Sequence, residues 1–338
     1  VSSDQTICYN SIPDDLSLTE QTGEVIRWEQ ATDAAFTSPV TINETTTTLA
    51  GATVGMLTET TYFRAVLQSG ICSEVPSDFT VITVIPASIG GLIDGGTTVC
   101  EGTNSTDLTL SDYTGDILRW QYSENGGTDW SDIENTSSVY TASNLESTTH
   151  FRAVVKNGVC DESFSDEAII NVNPLPRLAS SLTPPGICSN TGFYYEHTSN
   201  VAETEFYWIR EDVAGISTPG NEGSGYPDEV LVNTTSEPIE VIYKYELTAN
   251  GCTNYEEVRV IVTQSPYLTN EGFAGSICGG TVFSFTPQSN ITSGTVYNWT
   301  RPADTYGNPE NSGTGNPNEV LVNNSEDNIT AVSYTHLR

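Results

Sequence analysis

Cysteine and tryptophan recur along this chain in one fixed register, and that register limits what it can fold into. The cysteines are Cys8, Cys72, Cys100, Cys160, Cys188, Cys252 and Cys278. Trp28, Trp120 and Trp208 each lie 20 residues after the cysteine that opens their repeat, and Trp299 lies 21 after Cys278. Opening cysteines are spaced by 92, 88 and 90 residues. A period of that size marks a tandem array, here with expected domains at 1–86, 87–176, 177–266 and 267–338. Paired in chain order, the expected disulfides are Cys8 with Cys72, Cys100 with Cys160, and Cys188 with Cys252, at separations of 64, 60 and 64 residues. Cys278 is then expected to be unpaired by truncation, its partner lying past the last residue. Closing a loop of that length is worth roughly 4 kcal/mol in the chain-entropy model.

Within each repeat the pattern is that of short strands. TYFRAVLQSGIC, ending at Cys72, aligns with THFRAVVKNGVC, ending at Cys160. Counted back from the second cysteine, Phe63, Phe151 and Tyr243 coincide, as do Arg64, Arg152 and Lys244. Alternation with period two places Phe63, Ala65 and Leu67 on one face, and the basic residue on the other, where a carboxylate is its expected partner. A closing strand then ends at Pro86, Pro174 and Pro266, residues that cannot donate to a ladder. About seven such segments per repeat, separated by Gly, Asn, Asp, Ser and Pro, predict an antiparallel two-sheet sandwich. The predicted core is Trp28, Trp120, Trp208, Trp299, Phe63, Phe151 and Tyr243. An indole buried between the sheets removes on the order of 200 Å² from water, worth roughly 5 kcal/mol at most. Two subtypes are visible. Repeats one and two carry Arg27-Trp28 and Arg119-Trp120; repeats three and four carry W-x-R, at Trp208 and Arg210 and at Trp299 and Arg301. The latter also share GSGYPDEVLVN and GTGNPNEVLVN, in which Gly and Pro build a turn and Val230, Leu231 and Val232 enter a strand.

The 44 acidic against 11 basic residues give a formal net charge of -33. Such a field repels nucleic acid and anionic lipid and favours solubility. No D-x-[DN]-x-[DN]-G loop supports a calcium site, and no C-x-x-C pair supports zinc, so neither metal nor cofactor is expected. Persistent cysteine pairs point to an oxidising compartment. No apolar run reaches the roughly 18 residues needed to span a bilayer. The chain opens at Val1 with no leader pattern and reads as a fragment, with any export signal upstream.

Little in the chain suggests catalysis. The histidines are His150, His197 and His336, and no G-x-S-x-G, H-E-x-x-H or phosphate-binding glycine loop accompanies them. His150 stands where repeat one has Tyr62, a surface strand position. The segment from Ser123 to Trp130, SENGGTDW, resembles the Asp-box hairpin of secreted β-proteins, a structural turn. If exposed, Trp130 would stack on a sugar ring. N-x-[ST] triplets stand at Asn43, Asn104, Asn135, Asn233, Asn290, Asn298 and Asn328, relevant only where the host glycosylates. Glycine-rich loops at 219–226 and 309–318 offer loop length as the sole argument for ligand binding.

WQYSENGGTDWSDI, THFRAVVKNGVC and GTGNPNEVLVN together resemble the Ig-like and PKD-like repeats of very large Bacteroidota cell-surface proteins, gliding-motility adhesins among them. The resemblance covers all four repeats, with repeat one short of its first strand and repeat four truncated. It implies an all-β array of Ig-like and PKD-like sandwiches, export often by the type IX route, and a non-catalytic adhesin or stalk role. Expected partners are surface glycans or other cell-surface components. The other expected reading is a set of spacer or carbohydrate-binding modules of a secreted polysaccharide-degrading enzyme. The terminal VSYTHLR, Val332 to Arg338, resembles a read-through string foreign to the native sequence.

Overall fold

The computed structural model describes residues 1–270, 275–291 and 293–337. Among them the only helix is a single turn, Gly51–Val54; every other regular element is a strand. None is a helix long and apolar enough to cross a membrane. The protein is an all-β array of two-sheet sandwiches. It forms two compact units, Val1–Pro174 and Leu175–Arg338.

Repeat two shows the plan most fully. One sheet runs Thr97–Cys100, Ala168–Asn173, Thr149–Lys156, Asp116–Ser123 and Ser131–Ile133, with the short Ser163–Phe164 also on Thr149–Lys156. The facing sheet runs Val139–Ser143, Ser105–Ser111 and Leu92–Asp94. Repeat one repeats this order with Gln5–Cys8, Thr80–Ile85, Thr61–Gln68, Glu24–Ala31 and Val40–Ile42, opposed by Leu16–Ser17 paired with Thr48–Leu49. Trp28 and Trp120 fill the space between the sheets and are fully buried, as are Phe63, Ala65 and Ala153, while Phe151 is nearly so. The indole N–H is not left unpaired there: Trp28 Nε1 donates to Thr46 O at 3.0 Å and Trp120 Nε1 to Ser137 O at 2.9 Å. A bulge interrupts the alternation just before each tryptophan, between Val25 and Arg27 and between Ile117 and Arg119. It turns Val25 and Ile117 inward beside the indole, which strict period two would not allow.

In the second unit, repeat three pairs Ile187–Cys188, Cys252–Thr263, Ile239–Ala249, Glu205–Arg210 and Asn221–Gly223 in one sheet, and Thr191–Tyr194 with Asp228–Leu231 in the other. Its core holds Trp208 with the aromatics Phe193, Tyr195, Tyr243 and Tyr245. Repeat four pairs Thr281–Ser284 with Asn318–Leu321, and Tyr297–Arg301 with Asn311–Thr314 and Tyr334–Leu337, around a buried Trp299. Of the suspect terminal stretch, Tyr334–Leu337 is thus a paired strand, and Arg338 lies outside the described residues.

The W-x-R subtype has a structural meaning that its spacing alone does not give. Two residues on from the tryptophan, Arg210 shares the inward face and has a wholly buried side chain. Its Nε and Nη2 donate to the two oxygens of Glu229, both at 2.9 Å, and further donors reach the carbonyls of Thr218 and Pro219. Tyr243 OH donates to the same carboxylate at 2.7 Å. Burial alone would raise the Glu229 pKa, but the bonds from Arg210 and Tyr243 outweigh it and hold the carboxyl below its ordinary value. Repeat four has the same pair, Arg301 and Glu319. In repeats one and two the arginine precedes tryptophan and faces solvent, where Arg27 reaches Glu29 and Glu74, and Arg119 reaches Asp132 and Glu162.

His197 lies buried in repeat three, its ring stacked 4.0 Å from Phe206, edge-on to Tyr226, and with Nδ1 3.4 Å from Tyr245 OH. Burial pushes its pKa down. The unfolded chain therefore takes up a proton first as pH falls below about 6.5, so the stability this neutral ring permits is complete above that value and is lost on acidification. Hydrogen-exchange protection of the Ile239–Ala249 amides is expected to fall between neutral pH and pH 5, and to fall less in His197→Phe. An identical decline in both proteins would refute the assignment.

The cysteines depart from the expected pairs. Cys8 is bonded to Cys160, at a Cα–Cα distance of 5.0 Å, and Cys72, Cys188 and Cys278 are exposed free thiols. Cys100 and Cys252 are each disulfide-bonded. None of the pairs Cys8–Cys72, Cys100–Cys160 and Cys188–Cys252 exists. The reason lies in the direction of the first strand. Gln5–Cys8 runs parallel to the closing strand, with Cys8 opposite Ile85. Cys72 follows Gln68, at the far end of the eight-residue strand Thr61–Gln68, whose beginning pairs with the closing strand at Ile82. At about 3.3 Å per residue the two cysteines are separated by some 25 Å of strand, whereas a disulfide needs Cα atoms within about 7 Å. In repeat two Cys100 lies opposite Asn173, and Cys160 lies beyond Lys156. In repeat three Cys188 lies opposite Thr263, and Cys252 lies opposite Ala249 at the other end of the hairpin. Each of the first three repeats carries its two cysteines at opposite poles.

Candidate functional site at the junction of the first two repeats

The features that could serve function are few, and the most constructed of them is the meeting point of repeats one and two. The closing strand of repeat one delivers Ile85 and Pro86 to its pole, and the hairpin after Thr149–Lys156 delivers Asn157 to Cys160. Asn157 Nδ2 donates to Pro86 O at 2.7 Å and its backbone N–H donates to Ser88 Oγ at 2.9 Å. Tyr9 N donates to Ile85 O at 2.8 Å, which continues the parallel ladder past Cys8. Gly158 has φ +51°, and a Cβ there would stand 2.9 Å from Ile85 Cδ1. The hairpin glycine thus serves both the turn and the close approach of the two repeats. The Cys8–Cys160 bridge joins these surfaces covalently. It lies on the wall of an open cleft of about 550 Å³, lined also by Thr6, Tyr9, Ser88, Asp161 and Glu162. Glu162 is engaged by Arg119 at 3.0 Å. Among the described residues no cluster of His, Cys, Asp and Glu is arranged to hold a metal ion.

The basic strand residues find more varied partners than alternation suggests. Arg64 pairs with Glu29 at 2.8 Å and lies 4.0 Å over the ring of Phe36. Lys244 reaches Glu211 at 2.7 Å. Arg152 instead donates to Gln121 Oε1 at 2.8 Å and is sandwiched between the rings of Trp130 and Phe164, at 4.0 and 4.1 Å. Desolvation in this stack lowers its pKa. Trp130 is half-buried, with one face covered by Arg152, and its Nε1 donates to Gly127 O at 2.9 Å. The hairpin beneath is closed by Asn125, which bonds Asp129 through both its side-chain atoms, and by Ser123, whose Oγ accepts from Gly127 N. His150 lies 2.9 Å from Glu167. In repeat three Tyr194 and Tyr226 are exposed and meet edge-to-face at 5.8 Å.

A family model described as a domain of unknown function, DUF8696, matches twice, at residues 1–86 and 89–174, about half of the chain. The chain belongs to the DUF8696 family. The two DUF8696 copies are the repeats that carry Arg-Trp, and the Cys8–Cys160 bridge joins one copy to the other. No curated protein matches the sequence. Solved structures similar to it include the I-band fragment I67–I69 from titin, at 11% identity and a TM-score of 0.43, covering 78% of this chain and 96% of that one. Immunoglobulin domains 1–5 of Sidekick-1 align at 12% identity and a TM-score of 0.26, over 99% of this chain and 78% of that one. Extracellular domains 3–5 of Drosophila OTK align at 12% and 0.24, over 78% and 95%. All are tandem-domain proteins.

The seven core positions read from the sequence all lie buried, at or below 6% exposure. The residues that sequence reasoning passed over are Glu229 and Glu319. Their signal was present in the EVL triplet common to both W-x-R repeats, but partnership across strands is not written in spacing.

Proposed function

We propose that this chain is a non-catalytic, load-bearing segment of a large extracellular protein, a stalk or adhesin of the Bacteroidota surface type. The observation that carries this reading is the Cys8–Cys160 bridge, which ties one sandwich to the next and leaves the interior of each without a cross-link of its own. A disulfide of this kind persists in an oxidising compartment, which supports display outside the cell. Within one domain it would serve that domain's stability, whereas between two it resists their separation. The -33 charge keeps a long exposed array soluble and unattached to its neighbours. Export by the type IX route and a part in gliding adhesion belong to the same reading.

Labelling of intact source cells with an antibody against residues 1–174 is expected to mark the cell surface and to be abolished by external protease. Signal confined to the interior would overturn the proposal. A second reading, carbohydrate-binding modules of a secreted enzyme, draws on the exposed Tyr194–Tyr226 pair. A glycan array probed with the whole chain separates the two: selective binding lost in Tyr194→Ala favours the second reading, and no binding favours the stalk.

A further inference from the structure

The pole of repeat one that carries Cys72 is built like the pole of repeat two that carries Cys160. The turn reads Ser69-Gly70-Ile71-Cys72 in one and Asn157-Gly158-Val159-Cys160 in the other, with the glycine at φ +58° and +51°. Cys72 N donates to Ser69 O at 3.1 Å, and Cys160 N to Asn157 O at 2.9 Å. The short strand beyond pairs alike, Leu67 opposite Val75 and Val155 opposite Ser163. Even the flanking ion pair recurs, Arg27 on Glu74 at 2.6 Å and Arg119 on Glu162 at 3.0 Å.

The two poles differ in what covers them. On repeat two, Cys160 is buried and bonded to Cys8, and a Cβ on Gly158 would stand 2.9 Å from Ile85 Cδ1 of repeat one. On repeat one, Cys72 is an exposed thiol, Ile71 is wholly exposed, and nothing lies within 4 Å of a Cβ on Gly70. We propose that the Cys72 pole is a docking site for a further DUF8696 sandwich, seated as repeat one is seated on repeat two and held by a disulfide from Cys72 to the cysteine that ends its first strand.

The chemistry of the occupied junction selects that occupant. Its cysteine must end a strand running parallel to the closing strand, as Cys8 does beside Ile85. A second copy of this chain does not offer one, because its DUF8696 opening cysteines, Cys8 and Cys100, are both disulfide-bonded. The route of the chain into repeat one agrees. Val1 and Ser2 stand 92 residues before Ile93 and Asp94, the same spacing as Cys8 and Cys100. Val1 packs on the core of repeat one as Ile93 packs on that of repeat two. Ser2 N donates to Ser17 O at 2.8 Å, and Asp94 pairs with Thr109, the counterpart of Ser17. A sandwich joined ahead of Val1 is therefore delivered to Cys72 as repeat one is delivered to Cys160. One bond has no counterpart: Ser69 replaces Asn157, whose Nδ2 holds Pro86 O at 2.7 Å, so the cross-link carries more of the attachment at Cys72. The bridge forms as two thiols give up two protons and two electrons to a low-molecular-weight disulfide, which departs as two thiols.

The test places a copy of residues 1–92, carrying Cys72→Ser, directly before Val1 of the whole chain, which keeps the spacing of the native junction. Oxidised in a glutathione buffer, this chain is expected to keep Cys8–Cys160 and to join the added copy's Cys8 to Cys72. Titratable thiols then fall from three to two, Cys188 and Cys278. Cys72 still titrating as a thiol beside a folded added sandwich would overturn the proposal. Failure of the added copy to fold would do the same, since the same residues fold as repeat one where a pole receives them. A Cys72–Cys72 dimer of the unextended chain would assign the pole to a second copy and overturn the occupant named here. With Cys8→Ser in the added copy, Cys72 is expected to react with a maleimide on the order of tenfold more slowly than in the unextended chain, because seating covers it. An equal rate would show that the pole accepts no sandwich. None of these outcomes depends on where the protein is displayed, so a failure of surface labelling removes the stalk reading and leaves the docking pole standing.

Discussion

Trp120→Ala is expected to destabilise repeat two by about 3–5 kcal/mol, the range for truncating a large aromatic in a packed core. The ring is fully buried, packs 5.8 Å from Tyr140, and its N–H satisfies the Ser137 carbonyl at 2.9 Å. Removal leaves a cavity between the sheets and an acceptor without its donor, and the surrounding strands can close on it only in part. Total stability of a small domain is about 5–15 kcal/mol, so repeat two would approach the limit of folding on its own. Calorimetry on the whole chain should show the transition of this repeat shifted down or lost, with those of repeats three and four unmoved. Trp120→Phe is expected to recover more than half the loss. A shift below 1 kcal/mol for the alanine variant would mean that the indole does not organise the sandwich.

Arg210→Ala is expected to cost repeat three about 3–5 kcal/mol, because it strands the Glu229 carboxylate in the core. With the guanidinium gone, Tyr243 OH and Asn221 are left to donate to that carboxylate. The Glu229 pKa, now held low, should rise, so the variant should gain stability as pH falls and the carboxyl takes up a proton. Wild type should do the reverse: its depressed pKa means stability is present above about 4.5 and lost below it. The double variant Arg210→Met/Glu229→Leu, which removes both charges at similar volume, is expected to be close to wild type. Chemical denaturation followed across pH 3 to 8 distinguishes these outcomes. A pH profile of Arg210→Ala parallel to wild type would show that the pair is not coupled as its geometry indicates.

Much of the fold was legible because its signals are local. Phe63 and Ala65, Phe151 and Ala153, and Tyr243 and Tyr245 point inward by simple alternation, and each does lie in the core. The bulge before Trp28 and Trp120 was not legible, since one inserted residue leaves no compositional mark and shows only as a slip of register. The W-x-R motif was visible as a difference between repeats but not as a buried ion pair, because the partner Glu229 arrives from the opposite sheet. The Arg152 stack was missed for the same reason: Trp130 reaches it from the turn before Ser131–Ile133 and Phe164 from the short strand Ser163–Phe164. The role of the hairpin glycine at 158 against Ile85 was not legible either, because it depends on the neighbouring repeat.

By itself the sequence determined the repeat length, the strand-rich sandwich and the residues that fill it, since period-two burial and the Cys–Trp register are properties of one strand at a time. Which cysteine meets which was decided only in three dimensions. A first strand running parallel to the last sends the opening cysteine to the pole opposite the hairpin that carries the second, and the partner within reach there belongs to the following repeat.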